Sequence, residues 1–234
     1  MKDSVAISSG LGEERLAHLG GYVHGCDPNT WYPELWTWLK DRFKIGSLLD
    51  VGCGEGYTTQ FWRSIGCDAL GIDGSPSALR DSVVPDAVQS HDFTKGPFRP
   101  GRDFDAIWCC EVVEHIDEKY VDNVLDTFAL GRVIAMTHGV PGQAGHHHVN
   151  CQPSSYWVRR LESRGYHLQY GLTRAARAYG HSYFAKTGMI FTRDRAGVPA
   201  ALALRLLTLE WVPRRIWRRL RKRGLRGVVR TTRG

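Results

Sequence analysis

Two short stretches hold side chains that could do chemistry together. "EVVEHI" at 111–116 places Glu111, Glu114 and His115 at spacings of three and four, and "GQAGHHHVN" at 142–150 places His146, His147 and His148 in a run flanked by Gly145. On a helical turn, positions 111, 114 and 115 share one face. Two carboxylates and an imidazole there suit a hard or intermediate divalent ion such as Mg²⁺ or Mn²⁺, which needs one or two further ligands. His148 can supply one, with His146 on the same side of an extended loop and His147 on the other. The same groups allow a second chemistry, because His148, His146 or His115 could serve as a general base toward a hydroxyl. In a third reading Glu114 and His115 hydrogen-bond each other and only brace the loop, and the histidine run is a solvated turn.

A glycine loop lies upstream of both stretches. "LLDVGCGEGYTT" at 48–59 puts Gly52, Gly54 and Gly56 between a buried-type strand and a helix. Glycines there let the backbone approach a ligand closely, and a helix N-terminus presents free N–H groups. Asp73 stands 19 residues beyond Gly54 at the end of the next strand, where a carboxylate can accept both hydroxyls of a ribose. The dinucleotide pattern GxGxxG would need glycine at 57. The chain has Tyr57 there, and its pattern is GxGxG behind Asp50.

These residues need a frame, and the apolar periodicity supplies one. "SLLDVG" (47–52), "DALGID" (68–73), "DAVQSHD" (86–92), "FDAIWCC" (104–110) and "RVIAMTH" (132–138) read as five strands. Between and beyond them, 55–66, a short piece from Ser75, 117–130 and a capped helix over 152–166 read as helices, with a further helix over 30–43 ahead of the first strand. Strands alternating with helices predict a doubly wound α/β parallel sheet, Rossmann-like, with ligands at the carboxyl ends of its strands. The expected organisation is an N-terminal loop or lid segment over 1–29, an α/β domain over 30–195 and a basic extension over 196–234.

In that order, "LLDVGCGEG", "GIDGS", "HDF" and "FDAIWCCEVVEHI" resemble the class I S-adenosylmethionine-dependent methyltransferases over roughly residues 30–192. The resemblance implies S-adenosylmethionine as cofactor, with Gly52, Cys53 and Gly54 at its methionine part and Asp73 on its ribose. It implies Asp92 and Phe93 around the adenine and Cys110 at the amino-acid end, and Asp50, Gly56 and Gly74 belong to the same cofactor-binding set. "EVVEHI" is similar to the E-x-x-E-H motif of metal-dependent 2′-O-methyltransferases that act on small-RNA ends. That likeness implies Glu111, Glu114, His115 and a downstream histidine, here His148, as metal ligands. The histidine-rich loop after the fifth strand favours an oxygen nucleophile, which needs more help with its proton than an amine does. The reading that follows is O-methylation of a sugar hydroxyl in a glycan, glycolipid or natural product. The alternatives are ribose 2′-O-methylation of RNA, or a cofactor-binding but inactive partner protein.

Charge and composition bound the rest. The chain has 234 residues, 42% of them hydrophobic, and a net charge of +7. Ten basic residues and no acid follow Pro213; taking them from +7 leaves −3 for residues 1–212. A helix starting at Pro213, with Ile216, Trp217 and Leu220 on one face among arginines, suits a peripheral contact with an anionic membrane surface, and less well a nucleic acid. No signal peptide or membrane span is recognisable. Six cysteines without a CxxC pair point to free thiols in the cytoplasm, and the basic tail to a peripheral place at the inner face of the membrane.

Overall fold

The computed structural model describes residues 18–19, 24–195 and 198–211. The tail helix expected from Pro213, and most of the N-terminal segment, lie outside those residues. Seven strands form one sheet in the order β3-β2-β1-β4-β5-β7-β6. They are β1 (Ser47–Val51), β2 (Asp68–Asp73), β3 (Val88–Ser90), β4 (Phe104–Cys109), β5 (Gly131–Met136), β6 (His167–Leu168) and β7 (Met189–Thr192). β1 to β5 pair in parallel, whereas β7 runs antiparallel to both β5 and β6. The sheet is therefore mixed, with the reversed strand inserted between β5 and β6, rather than parallel throughout.

Alternation along the strands sends residues to two apolar layers. Leu49, Val51, Ile107, Cys109, Ile134 and Met136 meet α4 (Val121–Phe128), α5 (Ser154–Glu162) and α8 (Ala200–Trp211) through Val124, Leu125, Trp157, Leu161 and Leu207. Leu48, Ala106, Trp108, Val133 and Ala135 face the other layer, filled by Trp36 of α1 (Pro33–Phe43), Trp62 of α2 (Tyr57–Ser64), Ala176 of α6 (Tyr170–Tyr179) and Phe184 of α7 (Ser182–Thr187). The remaining helix, α3 (Pro76–Arg80), starts on a proline and is capped by Ser75, whose hydroxyl accepts the Ala78 N–H at 3.3 Å.

The elements differ from the sequence reading in four places. β3 keeps only three of the seven residues expected. The helix expected over 117–130 breaks into a 3-10 turn at Glu118–Tyr120 and α4. The helix expected over 152–166 covers Ser154–Glu162 and follows Pro153, which offers no side-chain cap. Residues 167–192 carry two helices and two strands that the periodicity did not announce. Among the described residues no helix is long and apolar enough to cross a membrane.

Candidate active site

The sheet order reverses between β1 and β4, so the loops leaving their carboxyl ends diverge and open a crevice. A cavity of about 670 Å³ lies there. Its floor is the glycine loop. Gly52 has φ +74, and a Cβ on it would come within 2.2 Å of Val112 Cγ2, so the loop after β4 can press against bare backbone. The Gly52 and Cys53 N–H groups both donate to the Ile72 carbonyl, at 2.8 and 3.1 Å. Asp50 sits beneath the loop and accepts the Thr59 hydroxyl at 2.7 Å. Burial pushes its carboxyl up to about 7, against the lowering effect of that bond.

Asp73 is fixed from two sides. Its carboxylate accepts the Gly54 N–H on one oxygen and the Ser75 N–H on the other, both at 2.8 Å. Each oxygen keeps a lone pair for a further donor. Gly74 follows, covered by Leu19, and then Asp92, which accepts the Thr94 N–H and hydroxyl at 2.9 and 2.7 Å and lies 3.5 Å from the His18 ring. Of the ten expected cofactor residues, nine line the cavity: Asp50, Gly52, Cys53 and Gly54 from the first loop, Asp73 and Gly74 from the second, Asp92, Phe93 and Cys110 beyond. Gly56 does not; at φ +84 it caps the start of α2.

Glu111, His115, His147 and His148 line the far side of the same cavity, and Glu114 is buried behind them. Glu111 stands in the left-handed region at φ +54, and only Val113–His115 forms a 3-10 turn, so residues 111, 114 and 115 do not share the helical face expected of them. Glu111 donates its N–H to the Thr137 hydroxyl, which donates back to Oε1, both at 2.8 Å, while Gln143 reaches Oε2 at 3.4 Å. Glu114 is 0% exposed, and neither of its carboxylate oxygens nor His115 Nδ1 has a hydrogen-bond partner among the described residues. Glu114 and His115 therefore do not brace each other. Burial, and then the neighbouring Glu111 charge, holds the Glu114 carboxyl well above its usual range.

His148 completes the group. The carbonyl of Glu114 accepts the N–H groups of Val149 and Asn150 at 3.0 and 2.9 Å, which ties the histidine loop to the turn after β4. His148 Nδ1 donates to the Gln143 carbonyl at 3.2 Å, which orients the ring. Its ring meets that of His115 edge-on, centroids 4.9 Å apart. Burial, and then the His148 charge, pushes the His115 imidazole down to about 4, so it is neutral at neutral pH. One ligand atom each from Glu114, His115 and His148 lies within 4.8 Å of the others. Glu111 stands outside this trio. His147, at φ +49, lines the cavity, whereas His146 is exposed and does not. Sequence reasoning assigned no role to Thr137, which anchors Glu111, nor to Gln143, Glu55, Asp27 and Tyr183, which line the cavity.

Comparison with known proteins points the same way. Residues 49–129 match the family described as "Methyltransferase domain". The chain is 43% identical over 65 residues, 24% of its length, to the tRNA U34 carboxymethyltransferase of Shewanella denitrificans, of which the match covers 19%. It is 30% identical over 93 residues, 35% of its length, to the ubiquinone biosynthesis O-methyltransferase of Thiobacillus denitrificans, of which 39% is covered. The chain thus spans under half the length of these curated relatives. A sugar N-methyltransferase of Streptoalloteichus sp. superposes with a TM-score of 0.55 at 18% identity, over 82% of this chain and 98% of its own, which is a likeness of fold.

Two groups can be tested against the shape of the site. The glycine loop and Asp73 fit S-adenosylmethionine, since bare backbone borders the cavity and a fixed carboxylate keeps lone pairs toward it. The trio fits a divalent ion, because two buried carboxylate oxygens and an imidazole nitrogen are otherwise left without partners. With its GxGxG loop, ordered Asp73 and reversed seventh strand, this chain resembles the class I S-adenosylmethionine-dependent methyltransferases, and its residues 49–129 match a methyltransferase-domain family.

Proposed function

We propose that this chain transfers a methyl group to an oxygen acceptor, a sugar hydroxyl of a glycan, glycolipid or natural product, with a divalent ion at Glu114, His115 and His148. S-adenosylmethionine supplies a methyl group on a sulfonium, and Mg²⁺ or Mn²⁺ at the trio supplies charge that acidifies a hydroxyl. The chain's own part is alignment and proton handling. The glycine loop and Asp73 hold the cofactor, and Glu111, anchored by Thr137 and Gln143, keeps a second carboxylate beside Glu114. The observation that carries this reading is the buried carboxylate of Glu114, without a hydrogen-bond partner among the described residues, next to the His115 and His148 imidazoles. An isolated buried carboxylate costs several kcal/mol, on the order of 2–7 even for a neutral polar group, and a cation relieves that cost.

Ribose methylation of RNA is the less favoured acceptor. Among the described residues seven acids line the cavity (Asp27, Asp50, Glu55, Asp73, Asp92, Glu111 and Asp117) against one lysine or arginine, Lys119, itself paired with Asp117 at 3.4 Å. Phosphates are repelled by such a lining, whereas a neutral polyol is not. A metal-free reading, with His148 as the base, is favoured by the contact of its Nδ1 with the Gln143 carbonyl, which orients the ring.

The test is activity on a panel of glycans, glycolipids and RNA ends, with and without EDTA. Loss of turnover in EDTA that Mg²⁺ or Mn²⁺ restores, together with loss in Glu114→Gln, is the expected result. Indifference to EDTA with loss in His148→Ala would replace the ion by the histidine base. Turnover of RNA ends alone would replace the acceptor.

A further inference from the structure

We propose that Glu55 and His24 are positioning residues that pin one wall of the cofactor cavity, an inference that rests on S-adenosylmethionine occupying it. Glu55 lies inside the glycine loop, between Gly54 and Gly56, lines the cavity and is 4% exposed. Its carboxylate faces a segment some thirty residues upstream. Oε2 accepts the Gly25 N–H at 2.9 Å, and Oε1, which has no hydrogen-bond partner among the described residues, is ion-paired with His24 Nδ1 at 2.5 Å. His24 itself is 80% exposed, and among the described residues its ring is ion-paired with the buried acid, with Asp81 close by.

The pinned segment then runs along the cavity. Cys26 takes the left-handed conformation at φ +77, and Asp27 caps a 3-10 turn at Pro28–Thr30 by accepting the Asn29 N–H at 2.8 Å. Cys26, Asp27 and Thr30 line the cavity from this side. At the other end the segment is fixed to α7. Tyr32 donates its hydroxyl hydrogen to the Asn29 carbonyl at 2.5 Å and accepts the Phe184 N–H at 3.2 Å, and His181 Nε2 donates to the Trp31 carbonyl at 3.0 Å. Residues 24–32 thus bridge the glycine loop and α7, with Glu55 as the pin at the glycine-loop end.

A carboxylate buried in a ligand loop is stable only with donors, and these donors belong to the opposite wall. Floor and wall are thereby held at a fixed spacing around the methionine end of the cofactor. Loosening the pin leaves the floor intact and opens the wall, so the cofactor leaves faster while the rest of the fold is undisturbed.

The experiment is stopped-flow dissociation of S-adenosylhomocysteine from the full chain, with the melting temperature of the cofactor-free protein recorded beside it. His24→Ala is expected to release the ligand about fivefold faster, and Glu55→Gln at least as fast, since charge-assisted bonds to a buried acid outweigh exposed pairs. His24→Gln, which keeps a donor, should return toward the parent rate. The melting temperature of His24→Ala should stay within about 1 °C, as for an exposed substitution. Unchanged release in both His24→Ala and Glu55→Gln overturns the proposal, and so does faster release accompanied by a matching fall in melting temperature. If the parent chain fails to bind S-adenosylhomocysteine at all, the methyltransferase reading itself falls, which is a different result.

Discussion

At the scale of single residues, the site depends on atoms that have been given exact neighbours and on others that have been left without any. Asp73 is the first kind. Its two N–H partners orient the carboxylate without using up its lone pairs, so Asp73→Ala should weaken cofactor binding by about 10- to 100-fold, the loss of one or two charge-assisted bonds. Isothermal titration with S-adenosylhomocysteine measures this directly, and a variant that binds like the parent would remove Asp73 from the cofactor site. Gly145 is a subtler case. A Cβ there would lie 2.2 Å from His148 Nε2, so only glycine lets the imidazole occupy its place. Gly145→Ala should displace the ring, lowering turnover at least tenfold while cofactor affinity stays within about twofold, because the substitution is remote from Asp73. Parallel losses in both quantities would mean that the loop, not the histidine, had failed.

At the scale of elements, the histidine loop is anchored as well as decorated. His138 follows β5 and is buried, with Nδ1 donating to the Gly139 carbonyl and Nε2 accepting the Ser154 hydroxyl, both at 2.9 Å. Burial pushes its pKa from 6.5 down to about 4. The folded state therefore binds fewer protons than the unfolded one between those values, and stability is lost as pH falls through that window. Between pH 7 and pH 5 the parent should lose about 2 kcal/mol more than His138→Gln, by the same linkage. Urea denaturation at the two pH values checks it, and equal losses would show that another group carries the acid sensitivity. Much of this frame was legible beforehand. β1, β2, β4 and β5 are apolar runs bounded by glycine or aspartate, and their order already puts the glycine loop, Asp73 and the histidines at one end of the sheet. β6 and β7 were not legible, because they have two and four residues and no alternation. Neither was α6, whose fully buried positions are Thr173 and Ala176 rather than an apolar stripe. The same limit applies to the site. Residue types announced Glu114, His115 and His148, but the left-handed Glu111 and the contact from Glu55 to His24 arise from tertiary placement that no local spacing encodes.

At the scale of the whole molecule, the question is where the folded body stops and the basic segment begins. The sequence placed an extension from residue 196, yet α8 packs against α5, α6 and β6, and Ala203 and Leu207 are 0% and 2% exposed within the layer that holds Phe191 and Leu168. The first turns of that extension thus close one face of the sheet, next to the reversed strand β7, whose residues are all buried. The ten basic residues beyond Pro213 add charge to a body of net −3. Two truncations separate the contributions. A chain ending at Trp211 keeps α8 and should melt within a few degrees of the full chain, since what it loses is charge beyond the packed helix. A chain ending at Arg195 uncovers the sites of Ala203 and Leu207. Removing one buried leucine alone costs about 2–5 kcal/mol, and each kcal/mol moves the melting temperature of a domain this size by about 2–4 °C. The shorter chain should therefore melt at least about 5–10 °C lower, and Leu207→Ala in the full chain should account for a large share of that drop. Equal melting temperatures for the two truncations would place α8 outside the cooperative fold and return the boundary to residue 195. A fall in both would instead assign stabilising contacts to the basic segment itself.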